Sequence, residues 1–334
     1  MKIVLGLLVA LALAAGGVLV AARVASAPVS LAELEAKYRT PDSRFIDIDG
    51  IRVHYLDQGQ GPAVVLLHAS FMHLRTWDPL AAALSDRYRV IRPDLLISGL
   101  TGPDPQDDYG FDRNLAIVDG LTRALGVDRY AIVATSSGGI VGFNLAARQP
   151  DRVTRLVLVN SAGMPRTAAT DPNRERGSVL DRWLAANFPT RARVRATLAL
   201  NFVPPHAPPE WLVDMNHDFW RRENRDAEGA RQRANFRTGD PQAVLGRVTA
   251  PTLVLWGVEN RTVMHLEADV FQHWLVNAPT LLRKYPGVGH YLYLEEPETF
   301  AADVGAFLAG RLDGELRRVQ VLTPDGTPMA ATAP

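Results

Sequence analysis

The chain has 334 residues, of which 47% are apolar, and its 36 basic side chains are balanced by 36 acidic ones, so the formal net charge is zero. This length and composition allow a large α/β domain with a sizeable buried core. The charge balance leaves no electrostatic footprint for nucleic acid, and the absence of cysteine excludes disulfide scaffolds, cysteine zinc sites and thiol catalysis.

An uncharged apolar run, residues 3–22, follows the first two residues. At about 1.5 Å per residue it is long enough to cross a hydrocarbon layer of about 30 Å. Residues 25–27, Ala-Ser-Ala, resemble a signal-peptidase site, although Pro28 is a poor first residue for a mature chain. Residues 1–27 are therefore predicted to be a signal anchor or, alternatively, a cleaved signal peptide. Either one places the remaining chain outside the cytoplasm, anchored to the membrane or secreted.

A run of alternating strands and helices follows a predicted linker at residues 28–43. The sequence RFIDIDGIRVHYLDQG, from residue 44, predicts two strands joined by an Asp49-Gly50 turn. Further apolar strands and amphipathic helices alternate up to about residue 160, including AVVLL at 63–67 and VTRLVLVN at 153–160. This alternation predicts an α/β fold with a parallel sheet and helices on both faces.

The alternation breaks at Ser161 and resumes near residue 247 with TLVLWG, TLLRKYP and two helical segments. The intervening residues are rich in Arg, Pro, Trp and Asn, which predicts a unit inserted between two strands of one sheet. Residues 44–162 and 247–313 are thus predicted to form the core, and 163–246 a helical insertion. Residues 314–334 are predicted to be a C-terminal tail, with a short hairpin at Asp325-Gly326 as one possibility.

Two adjacent serines follow the strand YAIV and precede a helix, in the sequence ATSSGG at 134–139. Small residues two positions before and after a serine at a strand-to-helix turn are typical of a nucleophile elbow, where these flanks crowd each other. The flanks of Ser136 are alanine and glycine, whereas Ser137 would have a branched threonine. Ser136 is therefore the predicted nucleophile. The N terminus of the next helix offers N–H groups to a developing anion.

A serine nucleophile needs a base at the same edge of the sheet, and PGVGHYLYLEEPETF provides a candidate. His290 follows the last predicted strand of the core and precedes its last helix. The glycines before it suit a loop that returns over the sheet. His290 is therefore the predicted general base. The other histidines show no metal-ligand spacing, so we predict no metal and no organic cofactor.

Five segments occur in this order: VVLLHASFMHLRTWDPL, ATSSGG, DRVTRLVLVNSAG, APTLVLWGVENRTV and PGVGHYLYLEEPETF. In them, over about residues 44–312, the chain resembles an α/β-hydrolase-fold serine hydrolase, and its N-terminal segment resembles that of membrane-associated bacterial members. The resemblance implies an eight-stranded, mostly parallel sheet with helices on both faces, a helical cap after the sixth strand, and a Ser-His-acid triad. It gives oxyanion roles to the backbone N–H groups of Ser70 and Ser137.

The chain departs from the family pattern at the acid position, where Gly-x-x-Asp-Arg usually follows LVLWG. In this chain Asn260 stands at the aspartate position and Glu259 precedes it. In a well-studied serine protease, replacing this aspartate by asparagine lowered turnover by about 10⁴. Three alternatives stay open: Glu259 acts from a shifted loop, Asn260 only orients His290, or the activity is weak or lost. A second acid position used by some relatives, after the sixth strand, is Asn160 in this chain.

A serine at the elbow differs from the aspartate with which haloalkane dehalogenases and epoxide hydrolases of this fold attack. Acyl transfer is therefore the predicted chemistry. The predicted function is hydrolysis of a small-molecule apolar carboxylic ester. Carbon–carbon bond or lactone hydrolysis, and a catalytically degenerate binding module, are alternatives. The aromatic residues predicted to contact substrate are Phe71, Trp183, Trp211 and Phe219.

Overall fold

The structure is a computed structural model that describes residues 26–165 and 189–317, residues 16, 17, 20, 21, 23 and 24, and the backbone of 319–322 and 328–329. Within this described part, no helix has both the length and the apolar character needed to cross a membrane. Most of the predicted membrane segment 3–22 lies outside the described residues, as does Trp183.

A twisted sheet forms the centre of the molecule. Its strands are β1 (Arg44–Ile48), β2 (Ile51–Gln58), β3 (Ala63–Leu67), β4 (Arg89–Pro93), β5 (Tyr130–Thr135), β6 (Val153–Val159), β7 (Thr252–Gly257) and β8 (Thr280–Tyr285), followed by the short β9 (Val319–Leu322) and β10 (Pro328–Met329). The order across the sheet is β1-β2-β4-β3-β5-β6-β7-β8-β9-β10. Strands β3 to β9 are parallel, whereas β1, β2 and β10 are antiparallel to their neighbours. The predicted eight-stranded, mostly parallel sheet is confirmed, and the C-terminal hairpin extends it.

Helices cover both faces of the sheet. They are α1 (Leu31–Tyr38), α2 (Asp78–Leu84), α3 (Phe111–Ala124), α4 (Ser137–Arg148), α5 (Arg191–Ala199), α6 (Glu210–Trp220), α7 (Arg225–Asn235), α8 (Pro241–Leu245), α9 (Leu266–Trp274), α10 (Leu292–Glu295) and α11 (Pro297–Leu308). Helices α5 to α8 lie between β6 and β7 in the chain, where the insertion was predicted, and we refer to them as the cap. Residues 166–188, which precede them, are outside the described part, so the full extent of the cap stays a prediction.

Strand β3 shows why the sheet is buried on both sides. Val65 and Leu67 pack in an apolar cluster with α3, α4 and α9, whereas Val64 and Leu66 pack in a second cluster with α2 and α11. Because successive side chains of a strand point to opposite faces, a continuous apolar run such as AVVLL suits a strand covered on both faces. Cap residues of α5 and α6 join the second cluster.

The predicted linker at 28–43 contains a helix, α1, that was not predicted. The Ser30 hydroxyl accepts a hydrogen bond from Glu33 N–H at 3.2 Å, and the Glu33 carboxylate accepts one from Ser30 N–H at 2.9 Å. This reciprocal capping box starts the helix, and its signature was readable as Ser-Leu-Ala-Glu.

Helix α1 is attached to the cap. Lys37 Nζ and Tyr38 Oη both donate to the Asp218 carboxylate on α6, each at 2.6 Å. Leu34 is buried in the same cluster as Phe219 of α6. The segment before the core is therefore part of the folded unit and not a free tether.

Candidate active site

The residues predicted to carry the chemistry lie at one edge of the sheet. Strands β3 to β8 are parallel, so the loops after them leave the same edge, where sites of open α/β sheets form. The residues that follow these strands are Ser70 (β3), Asp94 (β4), Ser136 (β5), Asn160 (β6), Glu259 and Asn260 (β7), and His290 (β8).

Ser136 occupies the turn between β5 and α4 and has φ 52° and ψ −123°. A serine at positive φ is uncommon, and such strained positions cost about 1–3 kcal/mol and cluster at functional sites. Ser137 is instead the first residue of α4. The strained turn therefore falls on the serine whose flanks are both small.

Gly138 allows this turn to pack against the end of β3. A Cβ at this position would lie 2.5 Å from the carbonyl oxygen of His68 and 2.6 Å from that of Leu67. Both obstructing atoms belong to the backbone, so no side-chain rotation can relieve the overlap. The small residue two positions after Ser136 is thus a steric requirement of the fold.

We expect Gly138→Ala to destabilise the protein by about 1–3 kcal/mol or more, because overpacking against fixed backbone forces the elbow apart. The unfolding midpoint in urea measures this. Gly314→Ala is the matched control, since a Cβ there meets nothing within 4 Å. Equal midpoints for the two variants would contradict the close approach.

The predicted oxyanion loop contacts the elbow through Ser137. Ser70 N–H donates to Ser137 Oγ at 2.7 Å, and Ser70 Oγ donates to the same atom at 2.8 Å. The Ser137 hydroxyl therefore accepts the hydrogen bond that Ser70 N–H would give to a substrate oxygen. A substrate has to displace this hydroxyl to use both predicted donors.

Buried polar groups fix the start of the oxyanion loop. His68 Nδ1 donates to Ala69 O at 2.8 Å and its Nε2 accepts from Leu95 N–H at 2.9 Å, so this imidazole has a structural role. Asp94 accepts from Leu74 N–H at 2.8 Å and contacts His54 Nδ1 at 2.7 Å. Burial alone would raise the pKa of Asp94, but its hydrogen bond and charge interaction with His54 hold that pKa well below its usual range.

His290 lies in the loop between β8 and α10 and is held by its backbone. Its N–H donates to Asn201 O at 2.9 Å, and its carbonyl accepts from Asn160 Nδ2 at 2.9 Å. The ring is buried, and burial lowers the pKa of His290 to about 4. The imidazole is therefore neutral near pH 7, as a general base must be. Among the described residues, no hydrogen bond joins this ring to Ser136 Oγ; such bonds often tighten only when substrate binds.

Neither candidate acid supports the His290 ring in the resting structure. The Glu259 carboxylate accepts from Gly287 N–H at 2.7 Å and Val288 N–H at 3.2 Å, so it holds the backbone of the approaching loop. Asn260 Oδ1 accepts from the N–H groups of residues 262 and 263, at 2.9 and 3.1 Å.

These two acceptor bonds also fix the orientation of the Asn260 amide, leaving Nδ2 on the other side. Asn260 Nδ2 and His290 Nδ1 are both buried without a hydrogen-bond partner in the described part of the chain. An amide nitrogen donates only, so it cannot accept the Nδ1 proton carried by the tautomer that acts as base.

Three residues that were not predicted as supporting groups, Asn160, Glu295 and Asn201, position His290. Besides its bond to His290, Asn160 accepts from Gly257 N–H at 2.9 Å, so it links β7 to the base loop. The Glu295 carboxylate accepts from Gly289 N–H at 3.1 Å and Tyr291 N–H at 3.2 Å. Burial raises the pKa of Glu295 despite these bonds. The third is Asn201, on the cap side. An acidic pair shortly after the histidine was the available signal for Glu295.

The described aromatic residues predicted to contact substrate occupy different places. Phe71 follows Ser70 directly, has φ 64° and is 58% exposed. Trp211 lines a surface groove of about 370 Å³ between α1 and α6. Phe219 is buried against Tyr38, with ring centres 5.2 Å apart. Phe71 alone among these three is next to the predicted oxyanion loop in the chain. In the described part, no group of three or more acidic or histidine side chains is placed to hold a metal ion.

Comparison with known proteins identifies the family. The profile of the alpha/beta hydrolase fold matches residues 62–297. Haloalkane dehalogenase 2 of Mycobacterium tuberculosis is 25% identical over 284 residues, covering 79% of this chain and 93% of that protein. A 2-hydroxymuconate semialdehyde hydrolase of a Pseudomonas species is 27% identical over 288 residues, covering 83% and 97%. The solved structure of a meta-cleavage product hydrolase from Pseudomonas fluorescens superposes with a TM-score of 0.69 at 22% identity, covering 80% of this chain and 98% of that one. The chain belongs to the alpha/beta hydrolase fold family.

Proposed function

We propose that this hydrolase-family protein cleaves an apolar carboxylic ester through an acyl-enzyme on Ser136. The observation that carries the proposal is the strained serine at the β5–α4 turn, at the edge where His290 also lies. A hydroxyl nucleophile transfers acyl groups, whereas a carboxylate at this position would form an alkyl ester. The presence of serine therefore favours acyl chemistry over the halide displacement named for one relative.

The proposed steps use the residues that follow the parallel strands at this edge of the sheet. Ser136 Oγ attacks the ester carbonyl while His290 takes its proton, and the carbonyl oxygen becomes an oxyanion. The N–H groups of Ser70 and Ser137 stabilise that charge. His290 then gives the proton to the leaving alcohol as the carbon–oxygen bond breaks. Water, deprotonated by His290, releases the acid and restores Ser136.

Apolar surroundings support an apolar substrate. On the base side, the Phe202 and Tyr291 rings lie 5.2 Å apart and flank the loop of His290. On the oxyanion side, the Phe71 and Trp220 rings lie 5.8 Å apart. Phe71 is 58% exposed, and removing its apolar surface from water on substrate binding contributes roughly 25 cal/mol per Å².

Two alternatives are each favoured by one observation. Relatives named as hydrolases of a hexa-2,4-dienoic acid and of 2-hydroxymuconate semialdehyde favour carbon–carbon bond hydrolysis on the same serine. The His290 ring, which lacks a carboxylate partner among the described residues, favours a degenerate site that binds a ligand without turnover.

A fluorophosphonate probe tests the proposal, because it phosphonylates an activated serine. We expect labelling of the wild type and of Ser137→Ala, which keeps the nucleophile and the backbone donor, and no labelling of Ser136→Ala. Hydrolysis of p-nitrophenyl esters of increasing chain length, compared with a ring-cleavage dienoate, then identifies the bond that is cleaved.

An unlabelled wild type that also leaves every ester intact would favour the binding module. Labelling that persists in Ser136→Ala would move the nucleophile elsewhere. Turnover of the dienoate alone would favour carbon–carbon bond hydrolysis.

A further inference from the structure

Arg225, the first residue of α7, is a partly buried cation without an ion-pair partner in the described part of the chain. No carboxylate in the described part of the chain lies within ion-pair distance of its guanidinium, and no hydrogen bond from its side chain is formed there. Asp226 and Glu228 act on it only at longer range, and Glu228 is already paired with Arg222. Burial lowers the pKa of Arg225 to about 10, so the group stays charged near pH 7.

Other buried arginines of this protein are paired with carboxylates. Arg92 is paired with Asp78 at 2.7 Å, Arg222 with Glu228, and Arg283 with Asp303. Burying a charge is costly unless it is paired, so these partners are expected. Arg225 departs from this rule because the described part of the chain supplies it with no counter-ion, so its guanidinium is open to an anion carried by a ligand.

The position of Arg225 relates it to the active site. Its guanidinium carbon lies 5.1 Å from the centre of the Phe71 ring, and Phe71 directly follows Ser70, the predicted oxyanion donor. The Phe71 carbonyl accepts from Trp220 Nε1 at 3.2 Å, which holds this part of the loop against the cap. Phe71 is 58% exposed, so the cation lies beside an open part of the site and not within the core.

We propose that Arg225 binds an anionic group, a carboxylate or a phosphate, carried by the ester substrate a few bonds from the reacting carbonyl. This inference rests on the proposed function and narrows its substrate class to esters that combine an apolar part with one oxyanion group. A guanidinium stacked on an aromatic ring keeps its N–H fork free to bind such a group in a bidentate manner.

Binding of three acyl p-nitroanilides to Ser136→Ala protein tests the proposal without requiring turnover. The acyl groups are succinyl, 3-phosphonopropanoyl and 4-methylpentanoyl, which present a carboxylate, a phosphonate and a neutral branched end of similar shape. We expect one or both anionic probes to bind about 10- to 100-fold more tightly than the neutral one by calorimetry. The anionic probe whose affinity rises more shows whether the charged group of the substrate is a carboxylate or a phosphate.

Adding Arg225→Gln should reduce this preference to about one, and Arg225→Lys should keep part of it because the charge remains. Arg231→Gln is the matched control, since Arg231 lies on the same helix but is 47% exposed and paired with Asp107 at 2.7 Å. Equal affinities of the three probes would overturn the proposal, as would an anion preference that survives Arg225→Gln. An equal loss of affinity for all three probes in Arg225→Gln would also overturn it. Ester turnover by the wild type is measured separately, so failure of the proposed function is distinguished from failure of the anion site.

Discussion

Asn260→Asp should raise the turnover of Ser136-dependent hydrolysis by about 10²- to 10⁴-fold. The change places a carboxylate oxygen at the position of Asn260 Nδ2, which has no hydrogen-bond partner among the described residues. The other oxygen can keep the bonds from the N–H groups of residues 262 and 263. We expect this carboxylate to accept the Nδ1 proton of His290 and to stabilise the imidazolium that forms. Loss of this interaction cost about 10⁴ in a serine protease, which sets the scale of the expected gain.

The same variant should move the acidic limb of the kcat/KM profile upward. In the wild type, burial lowers the pKa of His290 to about 4, so activity should persist down to about that pH. A nearby negative charge favours the protonated ring and raises its pKa toward the ordinary value of about 6.5. Faster turnover with a higher acidic limb is the expected combination.

Asn277→Asp provides the charge-matched control, because Asn277 precedes β8 at the opposite edge of the sheet and should change neither quantity. Glu259→Gln separates the remaining alternative. If turnover falls by orders of magnitude in Glu259→Gln and is unchanged in Asn260→Asp, then Glu259 is the acid. Residue 260 is then not the position that supports the His290 ring.

His290→Gln should lower turnover by about 10² in the wild-type chain but by about 10⁴ to 10⁶ in the Asn260→Asp chain. In a subtilisin-type protease, removing the histidine alone cost about 2 × 10⁶ and removing the aspartate alone about 3 × 10⁴, so a site already lacking the acid retains about 10² to lose. Steady-state rates of the four proteins measure this coupling. Equal losses in both chains would show that residue 260 and His290 do not act as a unit.

The stability of the same variant provides an independent readout. With a pKa of about 4 when folded and about 6.5 when unfolded, His290 contributes stability above pH 6.5 that is lost as the pH falls toward 4. The two values imply about 3 kcal/mol, which His290→Gln should remove from the acid dependence of unfolding. His73 is also buried, and burial lowers its pKa to about 4. Its contribution to the acid dependence of unfolding should be unchanged in the variant.

The sequence was sufficient for features that depend on neighbours in the chain. The apolar run of β3, the Asp49-Gly50 turn with φ 51° and 83°, and the crowding that selects the strained serine are all local. The start of helix α1 is also local, because its capping box lies within four consecutive residues. The partners of His290 were not local, because Asn160 lies 130 residues away from it in the chain. Whether Glu259 faces the ring or the backbone depends on the path of two loops that meet only in the folded sheet.

In the resting site, the hydrogen bond from Ser70 N–H is accepted by Ser137 Oγ and not by a substrate oxygen. A neutral substrate carbonyl must compete with this hydroxyl for the donor, and the exchange of one neutral hydrogen bond for another gains little. As the carbonyl oxygen becomes charged, its hydrogen bond becomes roughly twice as strong as a neutral one, and the competition turns in its favour. In the proposed mechanism the internal hydroxyl therefore weakens ground-state binding and yields to the transition state, which is the selectivity on which catalysis depends.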